Sequence, residues 1–141
     1  MRVLLDTNIL LDFIAQRPPF VKSAKAILKL CMEKQIYGCI AAHSITNTFY
    51  ILRNDLTIDE RKNILIELCN FLTVVGIDKA KILSALANDD FTDVEDCLQT
   101  ECAKEFSADY IVTRNVKDFQ NSTIPAIPPD EFLKKVNLTT I

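Results

Sequence analysis

A chain of 141 residues suits one domain, taken here as residues 1–141, and at that length roughly 68–70% of the unfolded surface can be buried. With 49% hydrophobic residues, 25% charged residues and a net charge of −3, the chain is composed like a folded domain. That balance excludes a general nucleic-acid coating protein, which would be basic, but leaves room for a nucleic-acid enzyme with a local basic rim.

Two glycines are too few for a β-sandwich built on tight turns. The cysteines Cys31, Cys39, Cys69, Cys97 and Cys102 have no CxxC spacing, and His43 is the single histidine. They read as reduced thiols of a cytoplasmic protein, not as disulfides or a zinc site. No apolar run reaches about 18 residues, so no membrane span is expected. The start at Met1-Arg2-Val3 lacks the features of a signal peptide.

Val3-Leu4-Leu5 leads into Asp6, then Thr7-Asn8 and an apolar helical pattern through Phe13 and Ile14. The spacing predicts a buried strand over 2–6 whose carboxyl end presents Asp6, and a helix over 8–15 that stops before Arg17-Pro18-Pro19. Phe20, Val21, Ala24, Ile27, Leu28 and Cys31 repeat at helical spacing to about Lys34. Gly38 to Ala42 is a second strand. His43 or Ser44 opens a helix that ends near Arg53-Asn54. Thr57-Ile58-Asp59-Glu60 is a capping box for the next helix.

Thr73-Val74-Val75-Gly76 is a third strand, and Asp78 caps the helix that follows. After the polar break Asn88 to Thr92, a helix runs from Asp93 to Phe106. Tyr110 to Thr113 is the fourth strand, with a short turn of helix from Asn115 to Phe119. Ile124-Pro125-Ala126-Ile127 reads as an edge strand, because proline is tolerated there. Pro129 opens a last short helix, and the residues after Lys135 carry no signal. Strands alternating with helices imply an α/β fold with a parallel sheet of four to five strands, covered on both faces.

In such a sheet the carboxyl ends of the strands share one edge, where ligands bind. Four places bring polar or acidic residues to that edge: Asp6; Asn47; Asp93, Glu95 and Asp96; and Asn115 with Asp118. Oxygen-only groups of this kind suit Mg²⁺ or Mn²⁺, which need one or two carboxylates, water and substrate phosphate. The same residues also read as helix caps: Asp6 before its helix, Asp93 with Asp96 as a cap and first-turn acid, Asp118 in a turn. His43 is read as a cap or a hydrogen-bonded edge residue. The Thr113 hydroxyl either orients a carboxylate or satisfies local backbone. Arg114 and Lys117 either contact nucleic-acid phosphate or are surface cations.

Leu5-Asp6-Thr7-Asn8-Ile9-Leu10, Asp93-Val94-Glu95-Asp96-Cys97-Leu98-Gln99 and Tyr110 to Phe119 stand in this order on this alternating pattern. Together they resemble a PIN domain over about residues 1–130. The resemblance implies a three-layer α/β/α fold and a metal-dependent ribonuclease using Mg²⁺ or Mn²⁺. It further implies the toxin of a toxin–antitoxin pair, with RNA as substrate, an antitoxin protein as partner and a homodimeric state.

By the same resemblance Asp6 and Asp96 are metal-binding acids, with Asn8 and Thr113 supporting them. The chain departs from the family pattern twice. Asn47 stands near the place of a helix glutamate. Asn115 stands where the fourth acid is usual, with Asp118 one turn later. Asp6, Asp96 and Asp118 then supply about three negative charges, enough for one cation and poor for two. Of the substitute acids, Asp93 shares a helix face with Asp96 and is expected ahead of Glu95.

Three functions follow from these residues. The first is RNA hydrolysis, with Asp6, Asp96, Asp118 and Asn115 at the reaction centre and Asn47 and Asp93 in support. The second is a binding module of the same fold that has lost hydrolysis. The third, an aspartyl phosphoacceptor at Asp6, is disfavoured because Asn8 stands where a second aspartate belongs.

Overall fold

In the computed structural model, which describes residues 1–139, the short apolar runs line up as one parallel sheet. Its strands are β1 (Arg2–Leu5), β2 (Tyr37–Ala41), β3 (Thr73–Val75), β4 (Tyr110–Val112) and β5 (Ala126–Ile127). Their order is β3-β2-β1-β4-β5, and every neighbouring pair is parallel. The connections are α1 (Thr7–Ile14), α2 (Val21–Met32), α3 (Ala42–Ile51), α4 (Ile58–Cys69), α5 (Lys79–Ala87), α6 (Val94–Glu105) and the closing α7 (Pro129–Thr139).

Successive residues of a strand point to opposite faces of the sheet, and β1 is apolar at each of its inner positions for that reason. Val3 and Leu5 pack with Ile9, Ile27, Leu65 and Phe132 of α1, α2, α4 and α7. Leu4 packs on the other face with Cys39, Ile111, Cys102, Ala103 and Phe106, beneath α6. These are the outer layers of a three-layer α/β/α fold. Full burial of a Leu or Ile stabilises by about 1.5–3 kcal/mol.

Gly38 on β2 is required by close packing: a Cβ there would lie 2.7 Å from Cys31 Sγ and 2.9 Å from Leu72 Cδ2. With glycine so scarce, three helices end on non-glycine residues in the left-handed region: Gln16 (φ 51°), Lys34 (φ 60°) and Ser107 (φ 57°).

The capping box forms in full, with Thr57 accepting from the Glu60 N–H and Glu60 accepting from the Thr57 N–H. Asp78 accepts from the Lys81 N–H. Several boundaries shift by a residue from expectation, and differences at α3, β5 and α7 stand out. α3 begins one residue early, at Ala42, without a side-chain cap. β5 is only Ala126–Ile127, because Pro125 has no N–H to donate and contributes just its carbonyl, to Ile111. α7 runs past Lys135 to Thr139, since Phe132 and Val136, four apart, both bury against the sheet. Among the described residues no helix is long and apolar enough to cross a membrane.

The sheet order reverses its sense of growth at β1: β2 and β3 add on one side, β4 and β5 on the other. The crevice beyond the carboxyl ends of β1 and β4 is therefore the switch point where α/β sheets bind ligands.

Candidate active site

Asp6 and Thr113 are the first residues past β1 and β4, so the switch point brings them together. The Asp6 N–H continues the ladder to the Val112 carbonyl at 3.0 Å, which fixes its side chain at the sheet edge. Its carboxylate is 6% exposed and accepts four hydrogen bonds. Oδ1 takes the Thr7 N–H and Gln99 Nε2, each at 2.7 Å. Oδ2 takes the Thr113 hydroxyl at 2.7 Å and Asn8 Nδ2 at 3.1 Å. A carboxylate has about four lone-pair sites, so this one is fully engaged. The cap reading of Asp6 holds, and Asn8 and Thr113 both support it. Thr113 is fully buried, and its oxygen also accepts the Asn115 N–H at 2.9 Å, tying the next loop to Asp6.

The N-terminus of α6 supplies the other acids. Asp93 caps it, Oδ1 accepting from the Glu95 and Asp96 N–H groups. Asp93 is thus spent locally. The acid that reaches Asn47 is Glu95 instead, whose Oε1 accepts from Asn47 Nδ2 at 3.1 Å. Asp96, one turn into α6, is the most perturbed acid of the edge. Burial, with Asp93, Asp6, Asp118 and Glu95 around it, pushes its carboxyl up from 3.8 to about 7. Those four neighbours bring acids of β1, α6 and the turn after β4 into one electrostatic field.

His43 sits on α3 at this edge, and neither ring nitrogen has a hydrogen-bond partner among the described residues. Burial lowers its pKa, against the opposing pull of Glu95, Asp6 and Asp93. Lys117, Asp118 and Asn115 are exposed beyond the edge.

Arg114 does not project as a free cation. Its Nε donates to Asp12 Oδ2 at 2.6 Å and a terminal nitrogen to Oδ1 at 3.1 Å, while its guanidinium lies 4.0 Å from the Phe20 ring centre. Asp12 is 1% exposed, so this pair turns inward from the edge and anchors the loop after β4 to α1. The sequence by itself does not mark Asp12 or Gln99 as residues of this edge. The signal available was a polar residue set within an apolar helical run: Asp12 after Leu10-Leu11, Gln99 between Cys97 and Cys102. Thr7, whose hydroxyl donates to the buried Ser44 at 2.8 Å, joins α1 to α3 in the same way.

The donor set tests well against a hard divalent cation. It is oxygen-rich, it holds excess negative charge around Asp96, and two amide oxygens, Asn8 Oδ1 and Gln99 Oε1, are buried without partners among the described residues. Among those residues no three Asp, Glu, His or Cys side chains gather closely enough to hold a metal by themselves. Amide oxygens, water and substrate phosphate would have to complete the coordination.

The PIN domain family profile matches residues 2–117. The chain therefore belongs to the PIN domain family. Solved structures that share the fold include the following three. VapBC2 from Rickettsia felis, bound to a DNA fragment from its promoter, superposes with TM-score 0.67 and 18% identity, covering 91% of this chain and 98% of that one. A toxin–antitoxin complex from Klebsiella pneumoniae gives TM-score 0.67 and 19% identity, with 90% and 97% covered. FitAcB from Neisseria gonorrhoeae gives 0.60 and 18%, with 90% and 97% covered. No curated protein sequence matches the chain significantly.

Proposed function

We propose that this PIN domain is a metal-dependent endoribonuclease and the toxin component of a toxin–antitoxin pair, working in the cytoplasm. The observation that carries the reading is the buried Asp6 carboxylate at the switch point, held by Asn8, Thr113 and Gln99, with Gln99 one helical turn from Asp96. Acids that share this edge, Asp6, Asp93, Glu95, Asp96 and Asp118, repel one another and a phosphodiester alike, unless a cation offsets them. Asp6, Asp96 and Asp118 would hold Mg²⁺ or Mn²⁺, with Asn115 adding a neutral oxygen. Such an ion, when bound, supplies Lewis-acid charge for activating water and for the phosphate's developing charge.

The chain's own residues do the rest. The Asn8 amide and the Thr113 hydroxyl fix the orientation of the Asp6 carboxylate, so little reorganises when charge develops beside it. The exposed Lys117 would meet a neighbouring phosphate. Single-stranded or looped RNA, whose backbone can bend to reach an acidic edge, is the proposed substrate in preference to a rigid duplex.

An antitoxin partner is supported by a surface groove of about 300 Å³ lined by Phe13, Leu28, Met32, Ile64, Leu68 and Phe71. A homodimer is supported by Ile82, Leu83, Leu86 and Val94, all large, apolar and exposed around α5 and the start of α6. The test of the chemistry is RNA cleavage in Mn²⁺ by wild type and by Asp6→Asn. The wild type is expected to cleave and the variant to lose that activity; equal activity in both contradicts the assignment.

A second reading has its own observation. Every acceptor site of Asp6 is already taken, and Asn47 pairs with Glu95, as in a stable network that needs no ion. On that reading the domain binds RNA or a protein without cutting. Calorimetry showing RNA binding with no uptake of Mn²⁺ supports it over hydrolysis.

A further inference from the structure

The clamp on Asp6 leaves one deeply buried oxygen unused. Gln99 is 3% exposed. Its Nε2 donates to Asp6 Oδ1 at 2.7 Å, while its Oε1 has no partner among the described residues. Burying an amide oxygen unpaired is unfavourable, and leucine or methionine would fill a buried helix position without that penalty. The cost is incurred beside the acids: Gln99 stands one helical turn after Asp96 on α6 and touches Asp6 directly. Asn8 repeats the arrangement on the other carboxylate oxygen, with its NH₂ on Oδ2 and its own Oδ1 buried and unpartnered.

We infer that Gln99 is a further ligand residue of the cation site, its Oε1 supplying a neutral oxygen beside Asp6; this rests on the divalent-cation reading above. An amide is two-faced. Without a cation, the NH₂ end is what stabilises the Asp6 charge. With a cation beside Asp6, that donor is dispensable and the oxygen end becomes the favourable one. A half-turn about a single side-chain bond exchanges the two ends, setting the oxygen toward the cation and the NH₂ where the unpartnered oxygen was, and amide oxygens are ordinary ligands for hard cations. Gln99 thereby adds a donor atom without adding a further charge to a site already crowded with acids.

The test is calorimetric titration of the full chain with Mn²⁺ alone, with circular dichroism as the check on folding. Gln99→Met removes both ends of the amide and is expected to weaken Mn²⁺ binding about 10–100-fold. Gln99→Glu keeps an oxygen and loses the donor, and is expected to bind at least as tightly as wild type. Gln99→Met binding like wild type overturns the inference. So does Gln99→Glu weakened as much as Gln99→Met, because Gln99 then serves only as an NH₂ donor to Asp6. If Gln99→Met fails to fold, Gln99→Glu alone decides. A wild type that takes up no Mn²⁺ removes the cation reading itself, a different result from a wild type that binds while its Gln99 variants bind equally.

Discussion

Asp96 is where one residue's surroundings reach furthest. Burial and its acidic neighbours hold its carboxyl at about 7, against 3.8 when free. Between those values the folded chain binds a proton that the unfolded chain has released, so raising the pH through that window removes stability. With EDTA present, the melting temperature is expected to fall between about pH 5 and about pH 8, and Asp96→Asn to flatten the profile; a wild-type profile as flat as the variant's contradicts this. Proton and cation compete, so Mn²⁺ is expected to raise the melting temperature more at the upper pH than at the lower. Thr113→Val removes the hydroxyl that donates to Asp6 and accepts from Asn115. It is expected to cost about 1–3 kcal/mol in urea unfolding. Asp6, Asn8, Asp96 and Thr113 were legible in the sequence because each stands where a strand ends or a helix begins. Gln99 was not, since a polar residue in a helix reads as surface until its partner 93 residues away is known. Arg114 allowed two readings for the same reason; Asp12, which claims it, is 102 residues distant.

Elements are held in place around the site by pairings like that one. The Asp12–Arg114 pair couples α1 to the loop carrying Asn115, and Asp12 is too deeply buried to find water if Arg114 goes. Arg114→Ala is expected to cost about 3–5 kcal/mol in urea unfolding, while a joint Asp12→Leu, Arg114→Met change regains much of it. An Arg114→Ala variant as stable as wild type contradicts the anchoring role. The left-handed residues that end α1, α2 and α6 give the opposite kind of expectation. Lys34→Gly relieves a backbone preference of about 1–2 kcal/mol, less the entropy glycine returns to the unfolded chain, so a small rise in stability is expected. Element types and order were readable throughout, because apolar periodicity switches between strand and helix at each boundary. The ends were less so. α7 outruns its expected length because Phe132 and Val136 find the sheet, and β5 is shortened by Pro125, effects that depend on neighbours.

For the molecule as a whole, alternation announced a parallel sheet, but the order β3-β2-β1-β4-β5 was not legible. Apolar strands of similar length can pair in many orders, and only the three-dimensional packing selects one. That order matters, since it sets β1 beside β4 and so Asp6 beside Thr113. The apolar residues left exposed around α5 belong to this scale too. Sedimentation is expected to give a dimer for wild type and a monomer for Leu83→Glu with Leu86→Glu; a wild-type monomer at high concentration removes that part of the proposal. On the proposed function, the acids of this edge hold a divalent cation. The most direct measurement is an anomalous difference map from crystals soaked in Mn²⁺. One peak is expected at about 2.0–2.2 Å from oxygens of Asp6 and Asp96. A map with no peak at that edge, or with manganese bound only elsewhere, contradicts it.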